Sequence, residues 1–545
     1  HRPVTTAPNP LLPGCYPDPS ICRVGEDYYL VCSTFEYLPG LPVFRSRDLI
    51  SWEQIGHVVD RPAQVDRLDY SGIASSGGLY APTVRHHDGL FWLVCTLVDQ
   101  RDPARGGNFL MTATDPAGPW SDPVWLDADG IDPSIFFDDD GRVWVHGTRP
   151  ARAPQWHDQT EVWVRELDPT TRSLVGPEQV IWHGAVLGAV WTEGPHLSKV
   201  DGTYYLLAAE GGTEFHHAVS VARADHVTGP YVGNKANPVL THRHLGHGTD
   251  VVGVGHADLV QAVDGSWWAV LLGMRPYGGY HYPLGRETFL VPVAWEDGWP
   301  VLAPGVGRVP ATVVVPFADE WRPGVAQGRT SGVVPAGDLR WSAVRSLPTS
   351  VGVRAGEVWD LPLRPAGPAD LEVPAFLGLR QQHRDVDLRV RVRVDLAEGE
   401  EVGLTVRQSE EDHVRLAVTA EAGSGAGGAG GAGGAGPVRR ATVVHRSGGT
   451  ERVLGEVVLG AGSDVLTLVV QARDADYALL AAVGDRPPVL VGHGDARTLD
   501  SVATGGFLGL WLGVHGTSHG RPSTTIAHVE RVEYLPRHEP GALLG

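Results

Sequence analysis

The sequence predicts an all-β protein in two parts, a five-bladed β-propeller followed by a β-sandwich. Three observations carry that expectation. A short phrase of one acidic residue followed by an aromatic and aliphatic run recurs five times. Turn formers are abundant, with 70 Gly and 42 Pro in 545 residues, which suits many short strands rather than long helices. Beyond the last repeat, strands with a clear period of two appear.

The repeats set the first part. They read Glu26-Asp27-Tyr28-Tyr29-Leu30-Val31, Asp88-Gly89-Leu90-Phe91-Trp92-Leu93, Asp140-Gly141-Arg142-Val143-Trp144-Val145, Asp201-Gly202-Thr203-Tyr204-Tyr205-Leu206 and Asp264-Gly265-Ser266-Trp267-Trp268-Ala269. The acidic anchors are spaced 62, 52, 61 and 63 residues apart, room for about four strands each. Asp-Gly between apolar runs is a hairpin signal, because Gly accepts positive φ. Radial repetition of four-stranded units is a propeller. The expected division is a propeller over residues 1–310, a linker over 311–340 marked by Pro316, Pro323 and Pro335, and a sandwich over 341–545. In the last part Asp387-Leu388-Arg389-Val390-Arg391-Val392-Arg393-Val394 alternates strictly, the mark of a half-buried strand.

Charge and cysteine content narrow the function. Acidic residues number 64 against 44 basic, a formal net charge of −20. That balance argues against a nucleic-acid backbone or an anionic membrane surface as partner. No apolar stretch is long enough to span a bilayer as a helix. Cys15, Cys22, Cys32 and Cys95 make neither a disulfide framework nor a zinc pattern. Unpaired thiols, together with a start that lacks a signal peptide's apolar core, favour a cytoplasmic setting.

The repeat also locates chemistry. Eight residues before each acidic anchor stand Asp18, Tyr80, Asp132, Glu193 and His256. Equivalent positions in a radial array share a radius and a height, so these side chains are expected to converge on the axis. Carboxylates sharing one pocket repel, which raises at least one pKa and can separate an acid from a base. Glycoside hydrolysis needs such a pair. A divalent metal site is the rival chemistry for Asp, Glu and His together. Tyr80 and Phe35 suit a sugar-ring platform or core packing equally.

A set of longer phrases then occurs in order across the propeller: Asn9-Pro10 through Ser20, Ser33-Thr34-Phe35-Glu36, Tyr80-Ala81-Pro82, Asp132-Pro133-Ser134, Thr192-Glu193-Gly194-Pro195-His196 and Leu284-Gly285-Arg286-Glu287-Thr288. Together they resemble glycoside hydrolase family 43, the five-bladed propeller β-xylosidases and α-L-arabinofuranosidases. The resemblance implies Asp18 as general base, Glu193 as general acid, and Asp132 as the residue that tunes and orients the acid. It implies an inverting reaction, with the sugar held by Arg286 and by Phe35, Tyr80, Ala81 and Pro82. It matches His256 to the family's axial His, often tied to a calcium or a water cluster. No cofactor is required, and a structural calcium near His256 is left open. Many xylosidase-like members carry Trp where this chain has Tyr80, which shifts the expectation modestly toward the arabinofuranosidase branch.

The C-terminal part resembles the concanavalin-A-like jelly roll appended in one branch of that family. It is expected to pack on the propeller and wall the pocket rather than bind glycan itself. The function implied is exo-acting release of a terminal pentose, α-L-arabinofuranose or β-D-xylose, from hemicellulose-derived oligosaccharides. An endo-arabinanase-like hydrolase and a noncatalytic glycan-binding propeller are the alternatives, and a homo-oligomer is left open. Four features are set aside as structural. Asp138-Asp139-Asp140-Gly141 reads as a solvated hairpin turn. His242, His244 and His247 read as a surface loop. The Gly- and Ala-rich run over 423–436 reads as a loop between strands, and Gly516 to Gly520 lacks the helix a nucleophile elbow needs.

Overall fold

A computed structural model describes residues 5–328, 332–421 and 437–537. The repeats form five antiparallel sheets. Blade 1 holds Ser20–Val24, Asp27–Val31, Gly40–Ser46 and Glu53–Val59. Blade 2 holds Thr83–His87, Leu90–Val98, Gly106–Ala113 and Val124–Trp125, with Gly78–Leu79 added to its second strand. Blade 3 holds Ile131–Phe137, Val143–Pro150, Thr160–Asp168 and Ser173–Trp182. Blade 4 holds Glu193–Val200, Thr203–Glu210, Ala218–Ala224 and Val232–Gly233, and blade 5 holds Val252–Gln261, Trp267–Met274, Glu287–Glu296 and Trp299–Leu302. The first strand of each blade packs on the first strand of the next, and blade 5 returns to blade 1.

The recurring phrase does two jobs. Its Asp-Gly pair turns the first hairpin: at Asp88-Gly89 and Asp201-Gly202 both residues have positive φ, the requirement of a type I′ turn. Its aromatic run then packs blade on blade. Tyr29 and Val31 of blade 1 meet Phe91 and Leu93 of blade 2 in one buried cluster. Phe136 and Trp144 of blade 3 meet Tyr204 and Leu206 of blade 4 in another.

The ring is closed by its two ends. Thr5–Pro8 pairs antiparallel with Thr312–Val315, a strand inside the stretch expected to be linker. Buried Asn9 acts as a clamp between them. Its Nδ2 donates to Leu290 O at 2.8 Å and Pro310 O at 3.1 Å, and its Oδ1 accepts from Leu290 N at 3.1 Å. The side chain thus reproduces a ladder pairing where the chain itself leaves a gap. Gln327 continues the seam by bonding Trp52 N, Leu11 O and Ile50 O.

Two further sheets of eight and six strands make the sandwich. Their facing sides share one apolar core. Along Val386–Arg393 the residues Val386, Leu388, Val390 and Val392 are buried in it, as the period of two requires. The Gly- and Ala-rich run read as a loop lies outside the described residues.

The sandwich is bonded to the propeller through a buried ionic cluster. Arg407 Nη1 donates to Glu36 Oε2 at 3.0 Å and to Tyr37 OH at 2.7 Å. Its Nη2 donates to Glu410 Oε2 at 3.0 Å and Ser75 Oγ at 3.1 Å. Tyr37 in turn stacks on Trp511 at 3.8 Å between ring centroids. Removing one partner from such a cluster leaves uncompensated buried charge. Arg407→Ala is therefore expected to cost about 3–5 kcal/mol of stability, read as a lower urea midpoint.

Candidate active site

The first strands of three blades are bulged at the rim of the funnel. The ladder slips between Ile131 and Ser134, between Glu193 and His196, and between Gly255 and Asp258. A bulge puts two residues opposite one and re-aims a side chain. Here it turns Asp132 and His256 toward the axis with positive φ of 54° and 56°, matching Asp18 at 54°. In blade 4 the residue in this left-handed position is Gly194, at 57°. A Cβ there would come within 2.9 Å of the His256 ring, so the position needs glycine for both backbone and space.

That alignment corrects the count of eight by one residue in blade 4. The two-residue Asp201-Gly202 turn shifts its strand by one relative to the five-residue turns of blades 3 and 5. Gly194, not Glu193, is the equivalent of Asp18, Asp132 and His256. Glu193 reaches the same pocket from the preceding position. All of Asp18, Asp132, Glu193, His256 and Arg286 line one pocket, with Phe35, Tyr80, Ala81, Ile131, Thr213 and Phe507. Pro82 is buried beside it but does not line it.

The three carboxyls stand in different electrostatic settings. Asp18 accepts from Ser33 Oγ at 2.7 Å and from Arg286 Nη1 at 3.2 Å, and His256 Nδ1 lies 3.3 Å away. Burial pushes its pKa up, but Arg286, His256 and the Ser33 hydroxyl together hold it below the ordinary carboxylate value. Asp132 accepts Gly194 N–H at 3.0 Å. Burial pushes it up to about 6, with the charge of Asp18 acting in the same direction and His256 opposing. Glu193 is raised well above the usual range by desolvation, then by Asp132 and Asp18, with only Arg286 opposing. Two carboxyls are thus pushed in opposite directions within a single pocket, the separation that an acid and a base need.

Arg286 lies against two rings. Its guanidinium carbon lies 5.4 Å from the ring centres of both Phe35 and Phe507, distances at which a cation is attracted to the ring faces. Its Nε donates to Phe507 O and its Nη1 also donates to Thr213 Oγ1, both at 3.2 Å. Its buried Nη2 has no protein partner. Phe35 and Phe507 are stacked at 5.7 Å, and Tyr80 packs against both. The Tyr80 hydroxyl donates to Ser76 O at 2.8 Å and accepts from Gln100 Nε2 at 3.0 Å. The two aromatics therefore pack on one another while also lining the pocket.

Phe507 and Thr213 carried no signal in the sequence. Phe507 belongs to the sandwich, outside the repeat, and Thr213 lies in a loop after the second strand of blade 4. The sandwich walls the pocket through Phe507, whose N–H donates to Ser76 Oγ at 3.0 Å. Arg286 came from the resemblance alone, since the repeat does not single it out.

Below the pocket, all five blades contribute to one polar network. Arg85 forms a two-pronged pair with Asp258 at 2.8 and 2.9 Å, and Ser20 Oγ donates to Asp258 at 2.8 Å. Ser134 Oγ and His196 Nδ1 are 3.0 Å apart, with His196 3.9 Å from Asp258. Burial pushes His196 down to about 3. Among the described residues no group of three or more His, Cys, Asp and Glu side chains is placed to hold a metal ion. His256 itself faces an Asp18 carboxylate already bonded to Arg286 and Ser33. One imidazole and a spent carboxylate do not fit a directly ligated calcium, which takes six to eight oxygens.

Two features set aside as surface elements are partly buried. Asp138 is enclosed and accepts from Tyr204 OH at 2.6 Å and Lys199 Nζ at 3.3 Å. Asp139, Asp140 and Gly141 of that turn are solvated. His242 is buried, with Nδ1 2.7 Å from Val251 O and Nε2 accepting Val309 N–H at 3.0 Å, while His244 and His247 are exposed or nearly so.

Comparison with known proteins agrees with this architecture. Residues 7–300 match the model of the glycosyl hydrolases family 43, and residues 338–535 match that of the beta xylosidase C-terminal concanavalin A-like domain. A xylosidase/arabinosidase of Butyrivibrio fibrisolvens is 39% identical over 95% of this chain and 97% of its own length. A non-reducing end alpha-L-arabinofuranosidase of Bacteroides ovatus is 34% identical over 96% and 94%. The solved xylan beta-1,4-xylosidase of Bacillus halodurans superposes with a TM-score of 0.86 at 29% identity, covering 97% of this chain and all of that one. With its five blades, its shared funnel of carboxylates and its appended sandwich, the chain belongs to glycosyl hydrolases family 43.

Proposed function

We propose that the protein is an exo-acting glycosidase that releases a terminal pentose, α-L-arabinofuranose or β-D-xylose, from oligosaccharides with inversion. The observation that carries this reading is the split between Asp18 and Glu193. Asp18 is held ionised by Arg286 and His256 and can take a proton from water. Glu193 is held protonated and can deliver a proton to the leaving oxygen. Asp132 raises the acid without being the acid. Arg286 Nη2, free of protein partners, is available to a sugar hydroxyl. The wall supplied by Phe507 makes the pocket suited to a chain end rather than to a chain interior, which disfavours the endo alternative. A binding-only propeller has no use for the acid–base split. Relatives named for xylosidase and arabinofuranosidase activity support both sugars, and Tyr80 leans the preference toward arabinofuranose. No step is assigned to a metal. Four free, buried thiols support a reducing setting.

The primary experiment is turnover of nitrophenyl β-xyloside and nitrophenyl α-arabinofuranoside, with the anomer of the first product read by NMR. Inactivity on both, or a retained anomer, would overturn the reading. Inversion calls for carboxyls roughly 6.5–9.5 Å apart, with room for the attacking water.

The charge settings fix the pH profile. Activity should fall on the acid side as Asp18 gains its proton and on the alkaline side as Glu193 loses its own. Asp132→Asn removes a like charge beside Glu193, so the alkaline limb of kcat/KM should move to lower pH by about one unit. A limb that stays in place would contradict the role given to Asp132. Glu193→Gln should lower kcat/KM on an oligosaccharide by about a thousandfold and far less on a nitrophenyl glycoside, whose leaving group needs little protonation. Asp18→Asn should abolish turnover of both.

A further inference from the structure

A second hollow of about 300 Å³ opens beside blade 3, lined in part by Pro150, Pro154, Trp156, Asp158, Gln159 and Trp191. Trp191 is 42% exposed, a large apolar face left in water. Its φ of 50° places it in the left-handed region, costly for a bulky residue and held only by its surroundings. Here its N–H donates to Asp158 O at 3.1 Å. Trp156 is fixed through Nε1, which donates to Ala189 O at 2.7 Å.

The position of Trp191 links this hollow to the catalytic pocket. It precedes Glu193 by two residues. Its Cδ1 lies 3.4 Å from where a Cβ on Gly212 would sit. The next residue, Thr213, lines the catalytic pocket and accepts from Arg286. The indole thus borders the hollow beside Gly212, whose neighbour Thr213 lines the catalytic pocket, and two residues before the group proposed as acid.

We propose that Trp191, with Trp156 behind it, is the platform on which the sugar chain beyond the cleaved bond rests. The inference rests on the exo-acting reading and extends it: the substrate is a pentose attached to further sugar rings rather than to a small alcohol. Indole faces offer a flat apolar surface to the C–H face of a sugar ring. Asp158 and Gln159 supply polar groups at its edge, the mixture of one apolar body and a few polar anchors usual for ligand sites.

The test compares a disaccharide and a tetrasaccharide carrying the same terminal pentose, with inhibition by the free pentose as a measure of the pocket alone. Trp191→Ala should lower kcat/KM on both oligosaccharides about tenfold or more, with the inhibition constant of free pentose changed by less than about twofold. Trp191→Phe should recover most of the loss, which a merely structural role in the backbone turn would not explain. Trp156→Ala should lower kcat/KM on the tetrasaccharide and spare the disaccharide. An unchanged kcat/KM in Trp191→Ala, or a loss matched by weaker binding of free pentose, overturns the platform. Wild-type protein that cleaves neither oligosaccharide nor nitrophenyl pentoside overturns the exo-acting reading itself, and the platform with it.

Discussion

Three carboxyls face one small pocket lined by a single guanidinium, and the chemistry follows from how that one positive group is placed. Charges brought out of water repel each other strongly unless compensated. Arg286 and His256 are both set against Asp18, so compensation is uneven by construction. Asp18 is held below the ordinary carboxylate value, Glu193 is pushed well above it, and the charge of Asp132 adds to the rise of Glu193. Shared equally among the three, the same charges would give neither an acid nor a base at one pH.

The fold serves that asymmetry through its bulges. A regular first strand would alternate side chains up and down the axis. The bulged strands instead tip Asp132, Gly194 and His256 to one height at the rim, where Asp18 also sits. The glycine in the fourth position is what admits the His256 ring, and the ring is what approaches Asp18. A backbone requirement in one blade therefore sets a charge contact made by another. Below this layer the Arg85–Asp258 pair and its Ser20, Ser134 and His196 neighbours tie the first strands of the blades to one another.

Much of this was legible in the sequence because radial repetition makes position in the chain stand for position in space. The Asp-Gly phrase marked each first hairpin, and counting back from it reached Asp18, Asp132, Glu193 and His256. The count slipped by one in blade 4 because the acidic anchor opens the two-residue turn there, whereas in blade 1 it closes one of the same length. Asp138 was misread because its neighbours are solvated, while burial there is decided by Tyr204 and Lys199 on the next blade. Phe507 was out of reach altogether. It comes from a domain with no repeat, and docking contacts between residues far apart in the chain, Arg407 with Glu36 and Asp500 with Tyr282 among them, carry it to the pocket.

The Asn9 clamp has a consequence for how the chain matures. Thr5–Pro8 is made before the five blades but pairs with Thr312–Val315, which is made after them. The opening strand must wait, unpaired, through the synthesis of all five blades. Contacts between such distant residues form slowly, since the intervening loop must be ordered first. The pocket waits longer still, because the ring of Phe507 that covers Arg286 is made after most of the sandwich. Blades can fold one by one as they appear, whereas the pocket acquires its full lining only after Phe507 has been made and the two ends of the propeller have met at one seam.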